Sequence, residues 1–401
     1  MSAKTAIPSD GAAAATRRCI GLCIGTELRW GRGILEGFIR FTHERPRWQA
    51  HHLGTARWPA IERMLGERPF DGLVVEGEDL QAVEALAGLG LPTVVVSSRL
   101  TVPERPHIGQ VVSDNEAVGR MAFEHLRSLG FAHYAFCGHA DKPFSERRWE
   151  GYRAAAAETG ISSVYTGPGQ CPGATAHRDA TINWLLTLPK PIALFAATDS
   201  IALAVTRAIT EAGRVIPRDF AVLGVDDDHL VCMFAHPPLS SIDNNTFTIG
   251  YRAGLLLERL MSGKAGGNRT EIVPPAGVVS RRSTDTLAAE APHVREAMRL
   301  IQEEACNGLT IERLLKRLRI SRRKLEVDYK QQTGRTLQQE LVRQQVARAR
   351  HLLTETDLPT VEIAVHCGFE YASRLSTVFK RETGLTPTAY RRQYRQTGPR
   401  D

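Results

Sequence analysis

Four residues with useful chemistry stand close behind short apolar, β-branched runs: Trp30 after CIGLCIG, Thr198 and Asp199 after IALFAA, and Asp226 after AVLGV. Carboxylates, a hydroxyl and an indole so placed suit a polyhydroxylated ring. Its apolar faces lie on an aromatic plate, and charge-assisted hydrogen bonds to carboxylate or guanidinium groups hold vicinal hydroxyls. Ordinary alternatives stand beside this reading: Asp199 can cap the helix that starts at Ser200, and Trp30 can be hinge packing. Glu27, Arg32 and Asp227 flank the same positions as secondary candidates. Enzyme chemistry finds no support, because GxSxG, a Walker loop and HExxH are missing and GTELRWGRG (25–33) is not a dinucleotide fingerprint. The seven cysteines (19, 23, 137, 171, 232, 306, 367) are scattered, odd in number and without a CxxC pair. Neither a zinc site nor a disulfide framework is expected, no cofactor is implied, and a reducing cytoplasm fits.

The elements that must carry these residues follow a rhythm. From Cys19 to about Ile242, strand-like runs (CIGLCIG, 72–77, 92–98, 133–138, 192–198, 219–227) alternate with helical segments such as Asn115–Leu129, Arg147–Thr159 and Ser200–Ala212, the last with Gly213 behind it. That alternation means βαβ units, hence parallel sheets covered by helices. Ligands of such sheets sit beyond the C-terminal strand ends, where Trp30, Thr198 and Asp226 are found. About 265 residues suit two lobes sharing a hinge better than one small sheet. We therefore expect a two-lobed α/β sensor over 19–280, a tail at 1–18, a polar linker at 281–293 (RRSTDTLAAEAPH) and an all-α domain over 294–399. No run reaches the ~18 apolar residues of a membrane span, and the first 18 residues lack a signal-peptide core.

Charge separates the two halves. Residues 293–401 hold 21 Lys and Arg against 13 Asp and Glu, a net +8, which leaves 30 against 31, or −1, for residues 1–292. A basic half of that kind points to a polyanion. In it, short helical patterns close around two tight turns, LLKRLRISRRKLEVDYK (314–330) and IAVHCGFEYASRLSTVFK (363–380). Each pairs a short helix with a second helix whose exposed face is polar, the pattern of a helix entering the major groove. A helix over about Thr336–Thr354 joins them; ~19 residues at 1.5 Å each span ~28 Å, near the ~34 Å of one DNA turn.

Over these ~100 residues the sequence resembles the AraC/XylS family, most clearly in IA(x4)GF and FKRETGLTPTAYRR. The resemblance implies a double helix-turn-helix domain on double-stranded DNA. By position in the motif, the first unit presents Ser321, Arg322, Arg323, Lys324, Glu326 and Val327, with Leu325 and Tyr329 inward. The second presents Tyr371, Ala372, Ser373, Arg374, Ser376 and Thr377. Arginine can fork onto guanine and glutamate can accept from cytosine, and the alternative for each is a phosphate contact or solvent. Arg319 stands where the family usually has glycine; if that turn requires φ > 0, it costs about 1 kcal/mol.

Residues 118–138, 145–161, 193–228 and 237–242 resemble, in order, the ligand-binding core shared by the lac repressor family and the periplasmic sugar receptors. That resemblance implies a monosaccharide effector and adds Arg148, three residues before Gly151, to the site. The joined arrangement is most similar to regulators of the xylose-operon type, which implies D-xylose or a related pentose, RNA polymerase as a partner and a homodimer on repeated half-sites. A DNA-repair alkyl acceptor with an AraC-type domain is the enzymatic alternative, which the scattered cysteines oppose.

Overall fold

The structure, a computed structural model, describes residues 17–54, 69–77, 90–97, 105–139, 142–161, 164–167, 175–263, 269–286 and 291–394, with a few single positions between them. Residues 1–16 of the expected tail, Cys171 and the residues after 394 lie outside the described residues.

The first sheet contains β1 (Arg18–Cys23), β2 (Trp48–His52), β3 (Gly72–Val75), β4 (Thr93–Val95), β5 (Ile108–Ser113) and β11 (Thr270–Val273). Its order is β11-β5-β4-β3-β1-β2, every pair parallel. The second contains β6 (His133–Cys137), β7 (Tyr165–Thr166), β8 (Ile192–Ala196), β9 (Phe220–Val225), β10 (Ser240–Asp243) and β12 (Gly277–Val279), in the order β12-β10-β9-β8-β6-β7. Only β12 is antiparallel. β8 and β9 are buried at every position, which is why IALFA and FAVLGV read as unbroken apolar runs.

Helices cover both sheets: α1 (Arg29–His43) and α7 (Thr246–Met261) with the first, and α2 (Asn115–Ser128), α3 (Pro143–Ala157), α4 (Thr175–Thr187), α5 (Asp199–Glu211) and the short α6 (His229–Phe234) with the second. The chain passes between lobes after β5, after β10 and after β11, so three segments form the hinge. The core of the first lobe gathers Ile20, Leu22, Val74, Val94 and Val111 under Ile34, Phe38, Ile249 and Leu257. That of the second gathers Phe136, Phe195, Val222 and Tyr152.

From Pro292 onward the described structure is helical: α8 (Pro292–Glu304), α9 (Ile311–Leu318), α10 (Arg322–Thr333), α11 (Leu337–Glu355), α12 (Thr360–His366), α13 (Ala372–Thr383) and α14 (Pro387–Tyr394). Part of the expected linker 281–293 packs on the second sheet. Arg282–Thr284 is a single 3-10 turn with Ser283 and Thr284 buried. Ser283 Oγ donates to the Val222 carbonyl at 2.6 Å and accepts from the Ser240 amide at 2.8 Å. The Ser283 and Thr284 hydroxyls are polar because they satisfy backbone and side-chain groups of the sheet, while Arg282 and Asp285 beside them are exposed.

Candidate functional site

A cleft with about 80 Å³ of room for water-sized molecules opens between the lobes, lined by Leu28, Trp30, Glu76, Ser97, Asn115, Phe144, Arg148, Thr198 and Asp226. Of the strand-end candidates, it brings together Trp30, Thr198 and Asp226, and it adds Arg148 from α3.

Arg148 is seated by close helix packing. A Cβ on Gly119 of α2 would lie 2.0 Å from the Arg148 carbonyl oxygen, so only glycine lets α2 approach α3 here. The guanidinium is buried; its Nε donates to Asn115 Oδ1 at 2.9 Å, an Nη to the Ala197 carbonyl, and it stands 5.1 Å from the Phe144 ring centroid. The remaining Nη lies 3.9 Å from Asp226 Oδ1. Burial lowers the arginine pKa, opposed by the charges of Asp226 and Asp199. Burial likewise raises that of Asp226, opposed by Arg148 and by the Asn244 amide, which donates to Asp226 Oδ1 at 3.2 Å. Asp226 has φ +106° and Asp227 φ +49°, so the turn after β9 holds two non-glycine residues in left-handed backbone. The rest of the structure sustains that strain at the position where the carboxylate meets the cleft.

Asp199 is a correction. It stands first in α5 with Thr198 as the N-cap, and it is not a lining residue. Its carboxylate accepts from the Asp228 amide (2.8 Å), Ser241 Oγ (2.6 Å) and Cys232 Sγ (3.5 Å), pinning the β9 turn from beneath. Desolvation holds its pKa well above the ordinary carboxylate value. The secondary candidates are also displaced. Glu27 is exposed and outside the lining. Arg32 donates to the Thr26 and Glu27 carbonyls and pairs with Asp228 across the lobes at 3.1 Å. Asp227 pairs with Arg281 at 2.8 Å. Leu28, Glu76, Ser97, Asn115 and Phe144 were not read as site residues. Glu76, Ser97 and Asn115 each stand within two residues after a strand, so the strand-end rule that named Asp226 reaches them as well.

The basic half presents two repeated units. In each, a helix of seven or eight residues (α9, α12) precedes one of twelve (α10, α13) that ends on a left-handed glycine, Gly334 or Gly384. Leu325, Tyr329, Leu375 and Phe379 are buried, while Arg322, Arg323, Lys324, Val327, Tyr371, Ser373, Arg374 and Thr377 are exposed. Ser321 is occupied as the N-cap of α10, accepting from the Lys324 amide. Arg322 and Glu326 pair with each other at 2.9 Å, and Ala372 is partly packed against the core of the second unit. Arg319 adopts φ +52°, so the first turn keeps its left-handed backbone without a glycine.

The two regions touch. Arg335 donates to the Glu124 carbonyl at 3.1 Å and Arg350 to the Ala276 carbonyl at 2.7 Å. Beneath them His125 is fully buried against Thr284, and its pKa is lowered to about 3 by burial and by Arg343 and Arg335. Among the described residues no helix is long and apolar enough to cross a membrane, and no His, Cys, Asp and Glu cluster could hold a metal.

Comparison with known proteins agrees with this two-part plan. Residues 123–284 match the periplasmic binding protein-like domain family and residues 314–393 a helix-turn-helix domain family. The xylose operon regulatory protein of Escherichia coli K12 is 31% identical over 342 residues, 84% of this chain and 86% of that one. That of Haemophilus influenzae Rd is 29% identical over 82% and 86%. A solved xylose-binding transcription activator superposes with a TM-score of 0.59 at 26% identity, covering 95% of this chain and all of that one. The chain belongs to the family of the xylose operon regulatory proteins and is a sugar-responsive, DNA-binding transcription regulator.

Proposed function

We propose that the chain is a xylose-gated regulator of pentose catabolism genes, with D-xylose held in the cleft between the lobes. The observation that carries this reading is the Arg148–Asp226 pair, 3.9 Å apart in a cleft that also holds Trp30 and Phe144. A cation and an anion side by side can respectively donate to and accept from adjacent ring hydroxyls, and the aromatic rings cover the apolar faces. The names of the relatives supply the pentose. Asp226 and Arg148 belong to the second lobe and Trp30 to the first, so a bound sugar favours closure; any change in DNA affinity equals the difference in sugar affinity between the two forms.

Arg323, Lys324, Ser373, Arg374 and Thr377 are the proposed base- and phosphate-contacting residues, with α10 and α13 in successive major grooves of an operator of repeated half-sites. A cytoplasmic homodimer acting on RNA polymerase completes the proposal. The exposed Leu230, Met233 and Phe234 on α6 support the dimer. Sensor boundaries at 19–280 and a DNA-binding domain at 294–399 remain the proposed division. Thermal melting with D-xylose, L-arabinose, D-ribose and D-glucose tests the effector: ligand at 100 times its dissociation constant adds about 2.7 kcal/mol of stability. D-xylose should give the largest shift; a larger one with glucose would overturn the pentose reading.

A further inference from the structure

The helix α11 is shared by two separate cores. Leu337 and Leu341 complete the first, with α8–α10, and Val342, Val346, Ala349, Leu352 and Leu353 complete the second, with α12–α14. Within the second group, between Val342 and Val346, sits a buried polar residue, Gln345. Its amide nitrogen donates to the Ala305 carbonyl at 3.1 Å, at the C-terminal end of α8, and to the Gly368 carbonyl at 3.4 Å, just past α12. One side chain thus bonds to both units. The units also meet directly here: a Cβ on Gly368, whose φ is +75°, would stand 2.9 Å from the Ala305 oxygen and 3.1 Å from the Cys306 carbonyl. Turning one unit about α11 would strip a buried carbonyl of its donor, which leaves an unpaired polar group in the interior.

We infer that Gln345 is a positioning residue that fixes the angle and separation of α10 and α13, and thereby sets which spacing between two base blocks the chain accepts. The inference rests on the reading that these helices enter successive major grooves. One added base pair moves the second block by ~3.4 Å along the axis and a tenth of a turn around it. A rigid pair of units cannot follow that displacement, whereas a jointed pair can. Gln345 is buried, and the exposed faces of α10 and α13 are left unaltered by changing it.

The test uses the full chain with D-xylose present and absent, and duplexes that wild type selects from a random-sequence pool. One base pair is inserted or removed between the two protected blocks, and one block is scrambled in separate controls. Wild type should lose about tenfold in affinity on either change of spacing. Gln345→Met, of similar length without the amide, should lose less than about threefold, yet bind single-block duplexes as wild type does. Gly368→Ala, which forces the seam apart from the other side, should shift or flatten the spacing preference in the same way. A wild-type spacing preference in Gln345→Met overturns the inference, as does loss of single-block binding together with a collapsed melting transition, which would make Gln345 a general structural residue. Wild type indifferent to spacing would sink the two-groove reading itself, and that result appears before any variant is made.

Discussion

Asp226 and Asp199 stand at neighbouring strand ends and turn opposite ways, the first into the cleft and the second into the protein. Asp226 faces the cleft beside Arg148; Asp199 faces inward and satisfies three donors around the β9 turn. Their substitutions should therefore fail differently. Asp226→Asn keeps volume and one acceptor, so xylose affinity should weaken at least about tenfold, equivalent to ~1.4 kcal/mol, with little change in sugar-free melting. Asp199→Ala should lower sugar-free stability by roughly 2 to 4 kcal/mol, since it leaves buried donors unpaired. Calorimetry with D-xylose beside melting curves separates the two, and an Asp226→Asn protein that binds xylose normally removes that carboxylate from the site. At this scale the sequence was legible only in part. A strand end fixes where a Cα lies, and Thr198 and Asp226, named on that ground, line the cleft; it does not fix which way a side chain turns, and the Asp199 carboxylate turns inward instead. Asn115 and Phe144 reach the cleft from α2 and α3, and Arg148 was visible through family resemblance alone.

Among elements, the buried strands and amphipathic helices were the readable ones, because burial on both faces or on one stripe imposes a pattern. β2, β5, β7, β10, β11 and β12 went unread: β7 and β12 are two or three residues long, WQAHH and TEIV are half-exposed and carry no period, and β5 (IGQVVS) and β10 (SSID) are largely buried yet mix polar residues into the run. The turn between α9 and α10 shows a conflict between local preference and fold. Arg319 holds φ +52° and ψ +40°, the geometry for which glycine is best suited. Arg319→Gly should raise stability by about 0.5 to 1 kcal/mol, the relieved Cβ strain less the added freedom of the unfolded chain, read as a higher denaturant midpoint. An unchanged or lower midpoint would mean the arginine makes a compensating contact. On the recognition helices, Arg323→Ala and Arg374→Ala should each cost about 1 to 3 kcal/mol on the selected duplex and relax base preference at separate positions. Uniform loss on every sequence would instead identify phosphate contacts.

At the scale of the whole molecule, the two halves share a junction as well as a chain. His125 lies in it, bonded to Thr284 and within the field of Arg335 and Arg343. Its pKa falls from the ordinary 6.5 to about 3, so the folded protein refuses a proton that the unfolded chain takes up. Its contribution is complete above the ordinary histidine value and is lost progressively as pH falls through that interval. Between about pH 7 and pH 5 wild type should lose roughly 1 to 2 kcal/mol more stability than His125→Gln, measured by denaturant titration at each pH. Parallel curves would show that the ring is hydrated in solution. The docking of Arg335 on Glu124 and Arg350 on Ala276 also bears on how such regulators can be recombined. A chimera cut in the polar stretch 281–293 would separate Ser283 and Thr284, whose 3-10 turn is bonded to the second sheet, from arginines that grip the sensor surface. A new reading head grafted there would hang loose, bind its own sequence and ignore the sugar. Exchange of specificity that preserves control has to carry the C-terminal turn of α2 with the graft, or leave the Gly334–Arg335 corner of the resident domain in place.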